Sequence, residues 1–127
     1  MVRRGAVGLI VAAVAAVVLA GCSQQQGLAL ARQACVYVDR SIKLYDAATH
    51  ETDPAKAASE RSNALTQLRL ALPLAAQANS DDGSWDDLMT AISESSRVEE
   101  GHLIVSLRAS CIDAENGTPG VPVSPGG

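Results

Sequence analysis

Leu28, Ala31, Cys35, Val38, Ile42 and Tyr45 recur at intervals of three and four residues. That spacing puts all six on one face of an α-helix, whose turn takes 3.6 residues. Arg32, Asp39, Arg40, Lys43 and Asp46 fall off the stripe, so the helix has one face to bury and one to leave in water. It is expected to end near His50 or Glu51. Asp53-Pro54 restarts the pattern, because Asp53 can cap free amides and Pro54 suits the first helical position. Ala58, Leu65, Leu68, Leu72 and Ala75 form a second stripe, with Ala57, Ala64 and Ala71 beside it. Pro73 lies inside this second helix and is expected to kink or break it about one turn from its end.

Asn79 to Gly83 reads as a loop. Ser84 followed by Asp87 resembles a cap for a third helix, with Trp85, Leu88, Met89 and Ile92 as its apolar face. Ser93 to Arg97 contains no apolar residue. Ser96 with Glu99 makes another capping candidate, and the stripe resumes at Leu103, Ile104, Leu107, Cys111 and Ala114. The reading is a third and a fourth helix meeting near residues 94–100; the alternative is one long helix over 85–115. There is no Phe, one Trp and two Tyr, so the core must be built from Ala, Leu, Val and Ile in close-packed helices. The fold class expected is therefore all-α, a small antiparallel bundle of four helical segments occupying residues 27–115, with a three-helix bundle as the alternative. Residues 116–127 are dominated by Pro and Gly with no amphipathic period and are expected to stay outside the packed domain. Within them Asn116-Gly117-Thr118 matches a glycosylation acceptor but is read as a helix stop.

The first 22 residues have a different character. Arg3 and Arg4 precede a weakly apolar run, Ala6 to Ala20, that is shorter than the ~20 residues a spanning helix needs. Leu19-Ala20-Gly21-Cys22 then resembles the lipobox of bacterial lipoproteins: a Leu, two small residues and a Cys. The resemblance covers residues 1–22 alone. It implies a signal peptide over residues 1–21, diacylglycerol on the Cys22 sulfur and cleavage before Cys22, with N-acylation of the new terminus left open. Two acyl chains suffice for stable attachment. The implied location is the outer face of the cell membrane, with residues 22–26 as a polar tether. The bias to Ala, Val, Arg and Gly, with two Lys, resembles a small lipoprotein of a high-GC Gram-positive bacterium.

Once Cys22 is assigned to lipid, Cys35 and Cys111 remain, and an exported chain usually joins such a pair. The alternative is two buried free thiols. The bridge bears on topology. With three alternating helices, Cys35 lies ~12 Å and Cys111 ~40 Å from the bottom of the bundle at 1.5 Å per residue. Bridged Cα atoms lie within about 7 Å of each other. With a turn near residue 98 and a fourth helix running back, Cys111 returns to ~5–10 Å from the bottom and the two meet.

The formal net charge is −4; removing Arg3 and Arg4 with the leader leaves 8 basic against 14 acidic residues, or −6. That argues against nucleic acid and against a polybasic lipid patch. His50 and His102, with Glu51, Glu99 or Glu100, lack metal-ligand spacing. Asp81, Asp82, Asp86 and Asp87 lack the alternation of a calcium loop and suit a helix N-terminus instead. Ser93, Ser95, Ser96, Ser106 and Ser110 have no nucleophile context. No catalytic residue, metal or cofactor is therefore expected. The functional expectation is an interaction or structural module of the cell envelope with a protein partner. The alternative is a carrier of a small apolar ligand, held in a gap near Pro73, Trp85 and Met89.

Overall fold

The computed structural model describes residues 4–117, with side chains from residue 22 onward. Its order is α1 (Arg4–His50), α2 (Pro54–Asp81), a 3-10 turn at Gly83–Trp85, α3 (Asp86–Glu94), a second 3-10 turn at Glu100–His102, and α4 (Ile104–Asn116). The fold is all-α, with no strand among the described residues. Side chains of the leader through Gly21 and the tail from Thr118 lie outside the described residues. Among those described, no helix is long and apolar enough to cross a membrane. Ser23 to Gln26, expected as a tether, continue α1.

α1 and α2 form a long antiparallel hairpin whose interface consists of small residues. On α1, Gly27, Ala34, Ser41 and Ala48 are buried at steps of seven. On α2, Ala57, Ala64, Ala71 and Ala78 are buried at the same step in the opposite direction. A Cβ on Gly27 would lie 3.0 Å from the Asp82 Cβ and 3.2 Å from the Ala78 carbonyl oxygen, and Ser41 Oγ is 2.7 Å from the Ala64 carbonyl oxygen. These two contacts set the register, which places Ala34 opposite Ala71 and Ala48 opposite Ala57. A seven-residue repeat keeps two helices in contact along their length when they supercoil gently. Small side chains at each step let the backbones approach closely. The expected second stripe holds at Leu68 and Ala75, both fully buried, but is shifted elsewhere: Ala58 is exposed, and Leu65 and Leu72 are half-buried at the margins. The larger apolar residues on α2 turn away from α1 because the close approach leaves them no room.

Asp53 caps α2 as expected, accepting from the Ala55 amide at 3.1 Å, with Pro54 at the first position. α2 does not end at Pro73. It continues to Asp81, and Pro73 is exposed, so its ring and the amide it lacks fall on the solvent side. At the next junction Asp82 is the cap: its carboxylate accepts from the Ser84 amide and hydroxyl at 3.2 and 2.8 Å. The Ser84 cap expected for α3 is therefore not formed, and neither is the Ser96–Glu99 box. Ser96 donates to the Ser93 carbonyl, and α4 starts after a 3-10 turn without a side-chain cap. The stop at residue 117 is formed, with Gly117 in the left-handed region at φ 70°, where glycine carries no Cβ penalty.

α3 and α4 cover the other faces of the hairpin. Leu68, Leu88, Ile92, Leu107 and Val38 are its largest fully buried apolar side chains, with Trp85 closing the end near Gly27. Cys35 and Cys111 form a disulfide with a Cα–Cα distance of 5.6 Å, which matches the four-segment topology. One turn before Cys35, Arg32 reaches the end of α4, donating to the Ala114 carbonyl at 2.9 Å and the Glu115 carbonyl at 3.4 Å. Ala114 also accepts from the Gly117 amide at 3.3 Å, and the carbonyls of a helix's last turn have lone pairs to spare for such a donor, so a covalent bond and a cationic cap fix α4 to α1 side by side.

Two stability tests follow from this packing. Ala71→Leu should destabilise the fold by about 1–3 kcal/mol through overpacking, whereas Ala58→Leu should change it by less than about 0.5 kcal/mol. Replacing both Cys35 and Cys111 by Ser should cost about 4 kcal/mol for a 76-residue loop. Urea unfolding of each variant reads both effects.

Candidate functional site

The polar chemistry of the interior gathers at one place, where the small-residue ladder carries a hydroxyl instead of a methyl. Ser41 is fully buried, and Glu100 is 3% exposed although it belongs to the connection between α3 and α4. The Ser41 Oγ lies 2.6 Å from Glu100 Oε1 and 2.7 Å from the Ala64 carbonyl oxygen. Glu100 Oε2 has no hydrogen-bond partner. Burial therefore pushes the Glu100 carboxyl above the usual range; the Ser41 bond works the other way, and the nearby Asp46 charge adds to the rise. The 3-10 turn at Glu100–His102 sets this geometry by turning Glu100 inward while Glu99 and His102 stay exposed.

A cavity of about 130 Å³ adjoins this pair, lined by Tyr45, Arg61, Leu65, Ser95, Val98, Glu99 and Glu100. Tyr45 donates to Glu99 Oε1 at 3.1 Å. Its hydroxyl lies where a Cβ on Gly101 would fall, 2.5 Å away, so only glycine lets the turn lie this flat against the ring. Partial burial raises the Tyr45 phenol, and its bond to the Glu99 carboxylate adds to that, while Arg61 opposes it. The cavity thus combines an apolar wall of Leu65 and Val98 with two carboxyls, a phenol and a guanidinium.

The other residues singled out in the sequence are placed separately. Cys22 is an exposed free cysteine, and Cys35 and Cys111 are bonded to each other. His50 Nδ1 lies 2.8 Å from the Asp46 carbonyl. Glu51 accepts from the Asp53 amide and pairs with Lys56 at 3.1 Å, and these bonds, the Asp53 amide first, hold its carboxyl below the usual range. With Glu51, Glu99 and Glu100 so engaged, no group of metal-binding side chains forms among the described residues. Asp86 accepts from Asn79 at 3.3 Å, and Asp86 and Asp87 occupy the first turn of α3. Ser93, Ser95 and Ser96 donate to carbonyls one turn back. Trp85 and Met89, expected to border a gap, pack into and against the core; Trp85 also lines an open cavity of about 380 Å³ with Leu28, Asp82 and Gly117, which Met89 and Pro73 do not line.

Ser41 is the residue the sequence reading passed over, yet its position was legible: it falls seven residues from Ala34 and from Ala48, on the buried face. Glu100 carried no such signal, since nothing in a polar connection shows which carboxylate turns inward.

Removing the hydroxyl tests the pair. Ser41→Ala should destabilise the protein by about 1–3 kcal/mol, the cost of leaving a buried carboxyl unbonded. Tyr45→Phe, which removes a bond at the surface, should cost less; denaturant midpoints of the two variants give the comparison. The chain matches no family model, no curated protein and no solved structure.

Proposed function

We propose that this chain is a lipid-anchored, extracytoplasmic module that presents one end of a rigid helical bundle to a protein partner of the cell envelope, and is not a catalyst. The observation that carries the reading is the relation between Cys22 and the packed domain. Cys22 is exposed and not in a disulfide, and among the described side-chain positions the first buried one on α1 is Gly27, five residues later. Acylation of Cys22 and cleavage before it would leave the core formed by Gly27 and the residues after it in place. The lipobox Leu19-Ala20-Gly21-Cys22 supplies the chemistry, and two acyl chains are enough to hold a protein to a bilayer.

On this reading the end of the bundle that carries Trp85 and Gly117 lies next to the membrane. Tyr45 is 23 residues along α1 from Cys22, about 35 Å at 1.5 Å per residue, so the Glu100 end faces outward. Val105 and Ile112, one heptad apart on α4, are 78% and 54% exposed, and Val36 beside the disulfide is 49% exposed. Exposed aliphatic side chains in such a row support docking of a protein surface.

Cys22→Ser should shift the protein from the membrane fraction to an unprocessed or soluble form. A photo-crosslinking residue at position 105 should capture the same envelope protein in repeated experiments, and one at position 58 should not. Retention of Cys22→Ser in the membrane with residues 1–21 removed would overturn the anchor. Equal capture at both positions, or none, would overturn the interaction role.

A further inference from the structure

We propose that Glu100 is a proton-operated latch: as the neutral acid it holds the connection between α3 and α4 closed on Ser41, and on losing its proton it releases that connection from the bundle. The inference is independent of the anchor and of any partner. It begins with a count of protons. The Ser41 hydroxyl has one hydrogen, and two oxygens lie within hydrogen-bond distance of it, the Ala64 carbonyl at 2.7 Å and Glu100 Oε1 at 2.6 Å. A carbonyl cannot donate. If Glu100 were ionised, neither acceptor could supply a second hydrogen. One of the two contacts would then bring lone pairs together at a distance typical of a bonded O–H···O pair. If Glu100 is neutral, its O–H donates to Ser41 Oγ and Ser41 donates to Ala64, so both contacts are satisfied. Oε2 is then the carbonyl oxygen of an acid. Without a partner, it costs much less than a buried carboxylate oxygen would.

Only the Ser41 hydroxyl favours an ionised Glu100, and donating to it would leave the Ala64 carbonyl without that hydrogen; the other surroundings give it no relief inside. From α1 the groups facing it are Asp46, whose charge opposes ionisation, and Tyr45, already committed to Glu99. From α2 it is Arg61, which lines the adjoining cavity but is exposed and in water. From its own connection it is Glu99, of the same sign. On α4 Arg108 is drawn to Asp46 at 3.6 Å. An ionised Glu100 must therefore leave for solvent, and the segment able to move with it is bounded. α3 ends at Glu94, and α4 is fixed to α1 by Leu107, the disulfide at Cys111 and the Arg32 cap. Residues 95–103 can lift while the bundle persists, uncovering Ser41 and the apolar wall of Leu65.

The sign follows from burial. The Glu100 carboxyl titrates above its usual range in the closed state, so the stabilisation is complete below the ordinary carboxylate range and is lost as pH rises through the raised value. Closure coupled to one proton weakens by at most about tenfold per pH unit between the ordinary carboxylate range and that raised value, and levels off above it.

The test is amide hydrogen exchange of the full chain in mild detergent from about pH 4 to about pH 9, corrected for intrinsic rates, with the Glu100 carboxyl followed by carbon NMR in the same samples. Protection of amides 97–103 should fall, by up to about tenfold per unit, from the ordinary carboxylate range to the Glu100 titration point and level off above it, while amides of α1 and α2 keep theirs. Glu100→Gln, whose amide can donate to Ser41 at every pH, should hold the segment protected throughout. The proposal is overturned if protection of 97–103 is flat across the range, if it goes on falling above the Glu100 titration point, or if Glu100→Gln shows the same fall.

Discussion

Close approach between α1 and α2 is the constraint on which the rest depends. Methyl groups and one hydrogen at steps of seven on both helices let two backbones lie against each other over four matched positions. Alanine contributes little apolar area, so such an interface is held by dispersion over many short contacts and by backbone that is already ordered. It also decides where the larger side chains go. Leu68 is buried in the core to which the shorter helices contribute Leu88, Ile92 and Leu107. The aromatic-poor composition and the hairpin are two aspects of one packing solution.

Ser41 is the exception in that ladder, and its effect reaches the far side of the molecule. A hydroxyl at a position sized for a methyl fits sterically but needs partners, since an unpaired buried hydroxyl is costly. The Ala64 carbonyl is one partner, and a carboxyl from a distant connection is the other. The 3-10 turn at Glu100–His102 and the flat packing of Gly101 under Tyr45 deliver that carboxyl. The least regular segment of the chain is thus tied to its most regular interface through one oxygen. At the opposite end, beside Gly27, Trp85 and Asp82 close the bundle by packing and capping.

Much of this was legible in the sequence. The α1 stripe, the Asp53-Pro54 restart, the turn before α4 and the pairing of Cys35 with Cys111 all follow from short-range rules: helical period, capping chemistry and the reach of a disulfide. The α2 stripe was assigned through its leucines because hydrophobicity scales weight Leu above Ala. The structure buries the alanines because the criterion at a close helix contact is size, not hydrophobicity. The caps at Ser84 and Ser96 were misplaced for a different reason. Several neighbouring Ser and Asp residues can each cap a helix, and the register of the turn selects among them; here it selected Asp82.

By itself the sequence determined that the chain is helical, that α1 ends near His50, α2 restarts at Asp53-Pro54 and α4 stops at Gly117, which cysteines can meet, and that Leu19 to Cys22 resembles a lipid attachment motif. These are properties of local spacing, and local spacing is written in one dimension. Only the tertiary structure decided that Gly27, Ala34, Ser41 and Ala48 face their counterparts on α2, that Arg32 caps α4, and that Glu100 alone among the connection's carboxylates enters the interior. Each of these depends on the relative rotation of helices. That rotation is set by the fit of all the side chains at once, and no segment specifies it alone.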